Sequence, residues 1–285
     1  MTEGVRAHLA RAAAAALAED LAGGGPEADV TTVSTVAAGA KGRGEVVAKA
    51  DGIVCGLASL EVTFDLIGPD VAVEHHRRDG DRVAAGDVLA TCEGTVRTML
   101  TGERTALNIL GHLSGVATAA AAFVERAPDV AIADTRKTLP GLRAVEKYAV
   151  RIGGGVNHRF ALWDAVLVKD NHIVAAGGIA EATRLAKAAT SLPVQVECES
   201  LEDVATALDA GADAILIDNF TPEQAADAVE HVKASGRDVT VEASGGVTLD
   251  TVGGYAAAGV DRISVGALTH SAPALDVSFR LTESN

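Results

Sequence analysis

The sequence predicts an α/β fold: a parallel sheet covered by helices, preceded by a smaller region of short strands. Three observations predict it. Past Glu103, short and almost wholly apolar segments recur at roughly 21- to 35-residue spacing, which suits successive βα units. Segments with helical periodicity lie between them, the alternation expected of a parallel sheet with helices on its faces. Nearly every apolar segment also ends in a charged or polar residue or a glycine, as strands do where they open into the βα loops of a barrel mouth.

The elements follow in order. MTEGVRAHLARAAAAALAED carries charges at helical intervals and reads as an amphipathic surface helix, not a signal peptide. GEVVAKADGIVCG (44–56) and VAVEHH (71–76) have strand composition, with the helical ASLEVTFDLI between them. In DGDRVAAGDVLATCEGTV (79–96), Asp79-Gly80 and Gly86-Asp87 separate apolar pairs, the pattern of hairpins or a small strand sandwich. ERTALNILGHLSGVATAAAAFVERA, from Glu103, is a long helix. The strands that follow are VAIAD (130–134), AVLVK (165–169), PVQVE (193–197), AILID (214–218), VTVEA (239–243) and RISVG (262–266). Helices are expected over 141–151, 178–190, 201–210, 222–235 and 248–258. Six strands fall short of the eight of a closed barrel, so the sheet is an open barrel or a further strand is hidden. The segment after Ala267 is too short for a domain and is expected to pack on the first region.

Composition narrows the function. The chain has 285 residues, 48% of them hydrophobic but only 3% aromatic, so Ala, Val, Leu and Ile must build the core. No apolar run is expected to reach the roughly 18–20 residues of a membrane span. Cys55, Cys92 and Cys198 form no CxxC pair, which argues against disulfides or zinc and for a reducing cytoplasm. The formal charge of −15 disfavours nucleic acid and anionic membranes as partners. That charge is uneven. Asp134–His172 holds seven Lys/Arg against four Asp/Glu, while the rest of the chain holds 17 against 35. A basic segment in so acidic a chain points to an anionic small molecule.

The strand ends sort by charge. Arg136, Lys137, Arg159 and Lys169, helped by His158, make a cationic group suited to a dicarboxylate, because guanidinium forks match carboxylates bidentately. Glu197 and Asp218 make an anionic group, suited to ribose hydroxyls or to Mg²⁺ held directly or through water. Ser244-Gly245-Gly246 and Gly266 follow the last two strands, where barrels bind phosphate through backbone N–H groups. A dicarboxylate pocket, a sugar or Mg²⁺ pair and a phosphate cradle together describe phosphoribosyl transfer. His75 and His76 alternate faces of a strand and cannot share one ion. Trp163 and Tyr148 read as core or interface, and His172 as either a helix cap or a group orienting Lys169. Gly153-Gly154-Gly155 reads as a backbone bend, not a dinucleotide turn.

The runs ERTALNILGHLSGVAT (103–118), DTRKTLPGLRAVEKYAVRIGGGVNHRFALWDAVLVKDNH (134–172), ECESLED (197–203), LIDNF (216–220), EASGGV (242–247) and SVGALTH (264–270) resemble the quinolinate phosphoribosyltransferase family. The resemblance implies an N-terminal α/β sandwich over 1–103, on which the tail 271–285 packs. It implies an open, seven-element TIM-like α/β barrel over 104–270, and homodimers. It also implies a reaction: phosphoribosyl transfer from 5-phosphoribosyl 1-pyrophosphate to quinolinate with decarboxylation, Mg²⁺-dependent, in NAD biosynthesis. Arg136, Lys137, His158, Arg159 and Lys169 would bind substrate, with Arg104 reaching in from the partner subunit. Glu197 and Asp218 would serve the ribose and Mg²⁺, and Ser244, Gly245, Gly246, Gly266 and His270 the phosphate. Lys137, Lys169, Glu197 and Asp218 are the candidate catalytic groups. Rival readings are a related phosphoribosyltransferase with another acceptor, a Schiff-base lyase using Lys169, and a non-catalytic carboxylate-binding protein.

Overall fold

Residues 1–284 are described in a computed structural model. The charged, Ala-rich N-terminus forms helix α1 (Glu3–Asp20), capped by Thr2, and a short helix α2 (Val30–Thr35) follows. Then come β1 (Lys41–Ala48), β2 (Gly52–Ile53), α3 (Ser59–Ile67), β3 (Val71–His75), β4 (Arg82–Val83) and β5 (Val88–Thr95). Helix α4 (Val96–Arg126) leads to β6 (Ala131–Ala133), α5 (Arg143–Ile152), β7 (Val166–Val168), α6 (Asp170–Ala176) and α7 (Ile179–Ala189). The alternation continues through β8 (Val194–Cys198), α8 (Leu201–Asp209), β9 (Ala214–Asp218), α9 (Pro222–Ala234), β10 (Thr240–Ser244), α10 (Val252–Ala257) and β11 (Arg262–Ser264). Helix α11 (Ala267–His270) and β12 (Val277–Ser284) close the chain.

The chain divides into two units. The first comprises 1–121, 138–154 and 268–285, and the second 122–137 and 155–267. This differs from a boundary at residue 103: 104–121 and 138–154 belong with the first unit. Packing explains the difference. Val96, Met99, Ala106, Leu107 and Leu110 of α4 are buried in one core with Val46, Phe64, Leu89 and Cys92, and α5 packs on α1.

In the first unit an antiparallel sheet runs in the order β12-β1-β5-β3, and β2 pairs with β4. The tail strand β12 joins the sheet through β1. Its approach runs close along α4, where Leu275 N–H bonds to Gly111 O at 2.9 Å. A Cβ on Gly115 would collide with Pro273 O, so a glycine is needed there. Helix α4 also corrects an expectation. By length and composition it could cross a membrane, yet most of its apolar stretch is buried inside the protein, as in the core helix of a soluble protein. Tyr148 is buried, and its hydroxyl donates to Asp79 Oδ2 at 2.7 Å. His75 meets Glu61 and His76 meets Thr91, so the two rings serve different partners.

The second unit holds a six-stranded parallel sheet in the order β6-β11-β10-β9-β8-β7. The hidden seventh element is one residue long: Val156 bridges to Ala133 beside β6. Val156 N–H bonds to Ile132 O at 2.8 Å, and Asp134 N–H to Val156 O at 3.2 Å. No pairing joins Val156 to β7 among the described residues, so the barrel is open there.

The strands alternate strictly, as their period of two requires. Val194, Val196 and Cys198, Ile215 and Ile217, Val241 and Ala243, and Ile263 are buried on one face. Gln195 and Glu197, Leu216 and Asp218, Glu242 and Ser244, and Arg262 and Ser264 occupy the other. The polar face of each strand supplies the site.

Candidate active site

The strand ends of the second unit surround a cavity of about 310 Å³. Of the residues singled out in the sequence, Arg136, Lys137, His158, Arg159, Lys169, Glu197, Asp218 and Ser244 line it. Gly245 (φ +86°) and Gly246 (φ +60°) turn away after β10, and Gly266 follows β11; none of the three lines the cavity. Arg104 on α4 and His270 on α11 are exposed residues of the first unit. Trp163 is not core: it is 74% exposed.

The cationic side is built around Asp134, the fully buried residue that follows β6. Asp134 Oδ1 accepts the His158 N–H at 3.0 Å, and Asp134 Oδ2 accepts Asn157 Nδ2–H at 2.5 Å. These bonds fasten the 157–159 loop beside β6, the strand that leads into Arg136 and Lys137. Thr135 Oγ1 turns the chain by accepting the Lys137 N–H at 2.9 Å. Arg159 Nη1 donates to Ala165 O at 3.2 Å. Burial and the neighbouring Arg136 guanidinium push the Arg159 guanidinium below its ordinary range. Arg136 Nε is itself buried with no hydrogen-bond partner. Two crowded guanidiniums, one with an orphaned N–H, describe a site that a bound carboxylate would complete.

The carboxylate side is already partnered. Lys169 Nζ forms an ion pair with Glu197 Oε2, so the cationic and anionic groups are joined here rather than separate. Asp218 Oδ2 accepts Asn219 Nδ2–H at 2.7 Å. Helix α6 begins where His172 Nδ1 accepts the Lys169 N–H at 3.0 Å. The structure therefore makes His172 a cap, and the cap sits on the residue that carries the lysine.

Sequence reasoning left one functional group without a role. Glu242, fully buried within β10, lines the cavity wall. Its Oε2 accepts from Gln195 Nε2 at 2.9 Å and from Arg262 Nε at 2.6 Å, and lies 3.2 Å from His158 Nε2. Burial alone would raise the Glu242 carboxyl; the hydrogen bond and charge of His158 and the charge of Arg262 outweigh it and bring it down to about 2. His158 Nδ1 accepts the Arg159 N–H at 2.7 Å. Both ring nitrogens of His158 thus have protein partners, and the imidazole acts as a strut between Glu242 and the Arg159 backbone. Glu242 was legible only as the inward position two residues before Ser244.

Comparison with known proteins identifies the family. Residues 29–114 match the model of the quinolinate phosphoribosyl transferase N-terminal domain, and residues 116–280 that of the C-terminal domain. The chain belongs to the quinolinate phosphoribosyltransferase family. Within that family it is similar to a nicotinate-nucleotide pyrophosphorylase [carboxylating] of Mycobacterium leprae, 44% identical over 93% of this chain and 94% of that one. The human protein of the same name is 42% identical over 82% of this chain and 80% of its own. The solved nicotinate-nucleotide pyrophosphorylase from Francisella tularensis superposes with a TM-score of 0.89 at 36% identity, covering 97% of each chain.

Proposed function

We propose that this chain transfers the phosphoribosyl group of 5-phosphoribosyl 1-pyrophosphate to quinolinate and decarboxylates the product to nicotinate mononucleotide. The observation that carries the acceptor is the crowded pair Arg136 and Arg159 with its orphaned N–H. A dicarboxylate supplies the missing negative charge, and bidentate contacts fix its plane. Leu167 and Leu216 give the same cavity an apolar surface for a pyridine ring. Family membership sets aside the Schiff-base lyase and the non-catalytic binding protein. The relatives' shared name favours quinolinate over another acceptor.

In this reading the ring nitrogen of quinolinate attacks C1′, and the C1′–oxygen bond breaks with its electron pair leaving on pyrophosphate. Glu197 and Asp218 face the positive charge that develops on the sugar. The nitrogen, now positive, stabilises the electron pair left on the adjacent ring carbon when CO₂ departs. That carbon then takes a proton from Lys137 or Lys169. Ser244 and the glycines after β10 and β11 hold phosphate.

No group of three or more His, Cys, Asp or Glu side chains could hold a metal alone among the described residues. Two carboxylates on one wall nevertheless suit Mg²⁺, which keeps its waters and takes phosphate oxygens alongside one or two carboxylates. When bound, Mg²⁺ would neutralise the leaving pyrophosphate, with Glu197 and Asp218 holding it directly or through water.

The reading extends to a homodimer in which Arg104 completes a neighbour's site. It also extends to a cytoplasmic location, consistent with three buried, unbridged cysteines. The test is an assay of quinolinate, phosphoribosyl pyrophosphate and Mg²⁺, following nicotinate mononucleotide and CO₂. Equimolar release of CO₂ and pyrophosphate is expected. Product from nicotinate but not quinolinate would overturn the acceptor, and sedimentation of a monomer would overturn the dimer.

A further inference from the structure

Asn219 stands one residue past the end of β9 in a conformation that side chains rarely adopt. Its φ is +59°; among the described residues the other left-handed positions are Gly, apart from Ala22. Left-handed backbone is disfavoured for a residue with a Cβ, though asparagine tolerates it better than most. Such strain persists only where the surroundings hold it, and it concentrates at functional sites.

Three contacts hold Asn219, and each leads to a different part of the cavity's carboxylate side. Its backbone N–H bonds to Ser244 O at 2.9 Å, extending the β9–β10 ladder past the pair Asp218–Ser244. Its side-chain Nδ2–H donates to Asp218 Oδ2 at 2.7 Å. Its Oδ1 lies over Gly245, where a Cβ would collide with it. The amide orientation follows from this network, since only the nitrogen can donate to a carboxylate. Gly245, at φ +86°, has a second reason to be glycine, because Asn219 fills the space its side chain would need.

The geometry points to Asn219 as a positioning residue for the phosphoribosyl-donor side: it fixes the Asp218 carboxylate against the Ser244-Gly245 turn, so that the sugar-facing and phosphate-facing groups are held as one unit. This rests on the reading of that side as the donor site. Asn219 touches no reacting atom. Its left-handed backbone lets one residue reach both strands, and its amide takes one Asp218 oxygen while the other stays available to ligand.

Asn219→Gly separates the two contributions. Glycine keeps the left-handed backbone and the bond to Ser244 O but removes the amide. Asn219→Asp keeps the shape and sets a carboxylate against Asp218. Both KM values are measured for the wild type and both variants, with Tm as a check on folding. Loss of a hydrogen bond to a charged group predicts a rise of about tenfold in KM for phosphoribosyl pyrophosphate in Asn219→Gly, with KM for quinolinate within about twofold of wild type. Asn219→Asp should raise the donor KM further, because like charges then face each other. If Asn219→Gly matches wild type in both KM values, or if both rise together with a fall in Tm, Asn219 is a turn residue only and the proposal is overturned. If the wild type makes no nicotinate mononucleotide, the functional reading fails instead, and direct binding of phosphoribosyl pyrophosphate by calorimetry tests Asn219: undiminished affinity in Asn219→Gly overturns the proposal.

Discussion

The two sides of the cavity differ in how complete they are. On one side Arg136 and Arg159 crowd together, the first with an unpartnered Nε and the second depressed by burial and by its neighbour. On the other, Glu197 is paired with Lys169 and Asp218 is bonded by Asn219. Glu242, below both, accepts from two side chains and lies beside a third. The guanidinium side stores repulsion that an anion relieves, whereas the carboxylate side is held in shape before a ligand arrives. This suits a reaction in which one substrate is bound by its charge and the other must be aligned for displacement.

Removing Glu242 should produce the largest effect on the fold. Glu242→Gln leaves Arg262 and His158 facing a neutral group in a buried place. Breaking a buried pair costs about 3–5 kcal/mol, and the partial exposure of Arg262 places this one near 3. The pH dependence has a definite sign. The Glu242 pKa is lowered in the folded protein, so its contribution is present above the ordinary value of 4.5 and is lost as pH falls toward about 2. The Tm gap between wild type and Glu242→Gln should therefore be widest near neutrality and narrow below pH 4.5. A gap that stays constant with pH would mean that the network does not depend on the Glu242 charge.

Arg136→Ala addresses the unfinished side directly. Loss of a charge-assisted contact made only with ligand should raise the quinolinate KM by about 10- to 100-fold, with little change in the donor KM or in Tm. The stability result is the sharper one. Because Arg136 crowds Arg159 in the free protein, its removal should leave Tm unchanged or slightly raised. A marked loss of Tm would show that the cationic side is structurally satisfied without a ligand.

Much of this was legible in the sequence, for identifiable reasons. β8, β9 and β10 are apolar runs long enough to register as strands, and their ends carry Glu197, Asp218 and Ser244 into the cavity. Val156 could not be read as an element, because a single bridged residue has no periodicity. Helices α2 and α6 were not picked out either; they span six and seven residues, about two turns each. The contact-based division inside α4 was not legible, because α4 is one unbroken helix and no composition change marks the point. Trp163 read as core or interface from its residue type, and its exposure excludes the core. Asp164 in fact folds the Phe160–Trp163 loop on itself by accepting the Phe160 and Ala161 N–H groups, leaving Leu162 and Trp163 outside. Glu242 and Asn219 were hidden because their roles are relational, set by neighbours on adjacent strands that no local pattern announces.

Lys169 is where the two sides meet, and His172 tests how firmly it is placed. The His172 ring accepts the Lys169 N–H, so it caps α6 at the residue whose side chain reaches Glu197. Loss of a helix cap costs about 1 kcal/mol. In a protein of this size that is a fall of roughly 2–4 °C in Tm. His172→Ala removes the acceptor and leaves the lysine in place; His172→Asn restores an acceptor of similar reach. If the ion pair with Glu197 fixes Lys169 by itself, kcat should stay within about twofold of wild type in both variants and only Tm should respond, recovering in His172→Asn. If kcat falls in His172→Ala and recovers together with Tm in His172→Asn, the cap is setting the lysine, and the carboxylate side owes part of its order to the start of α6.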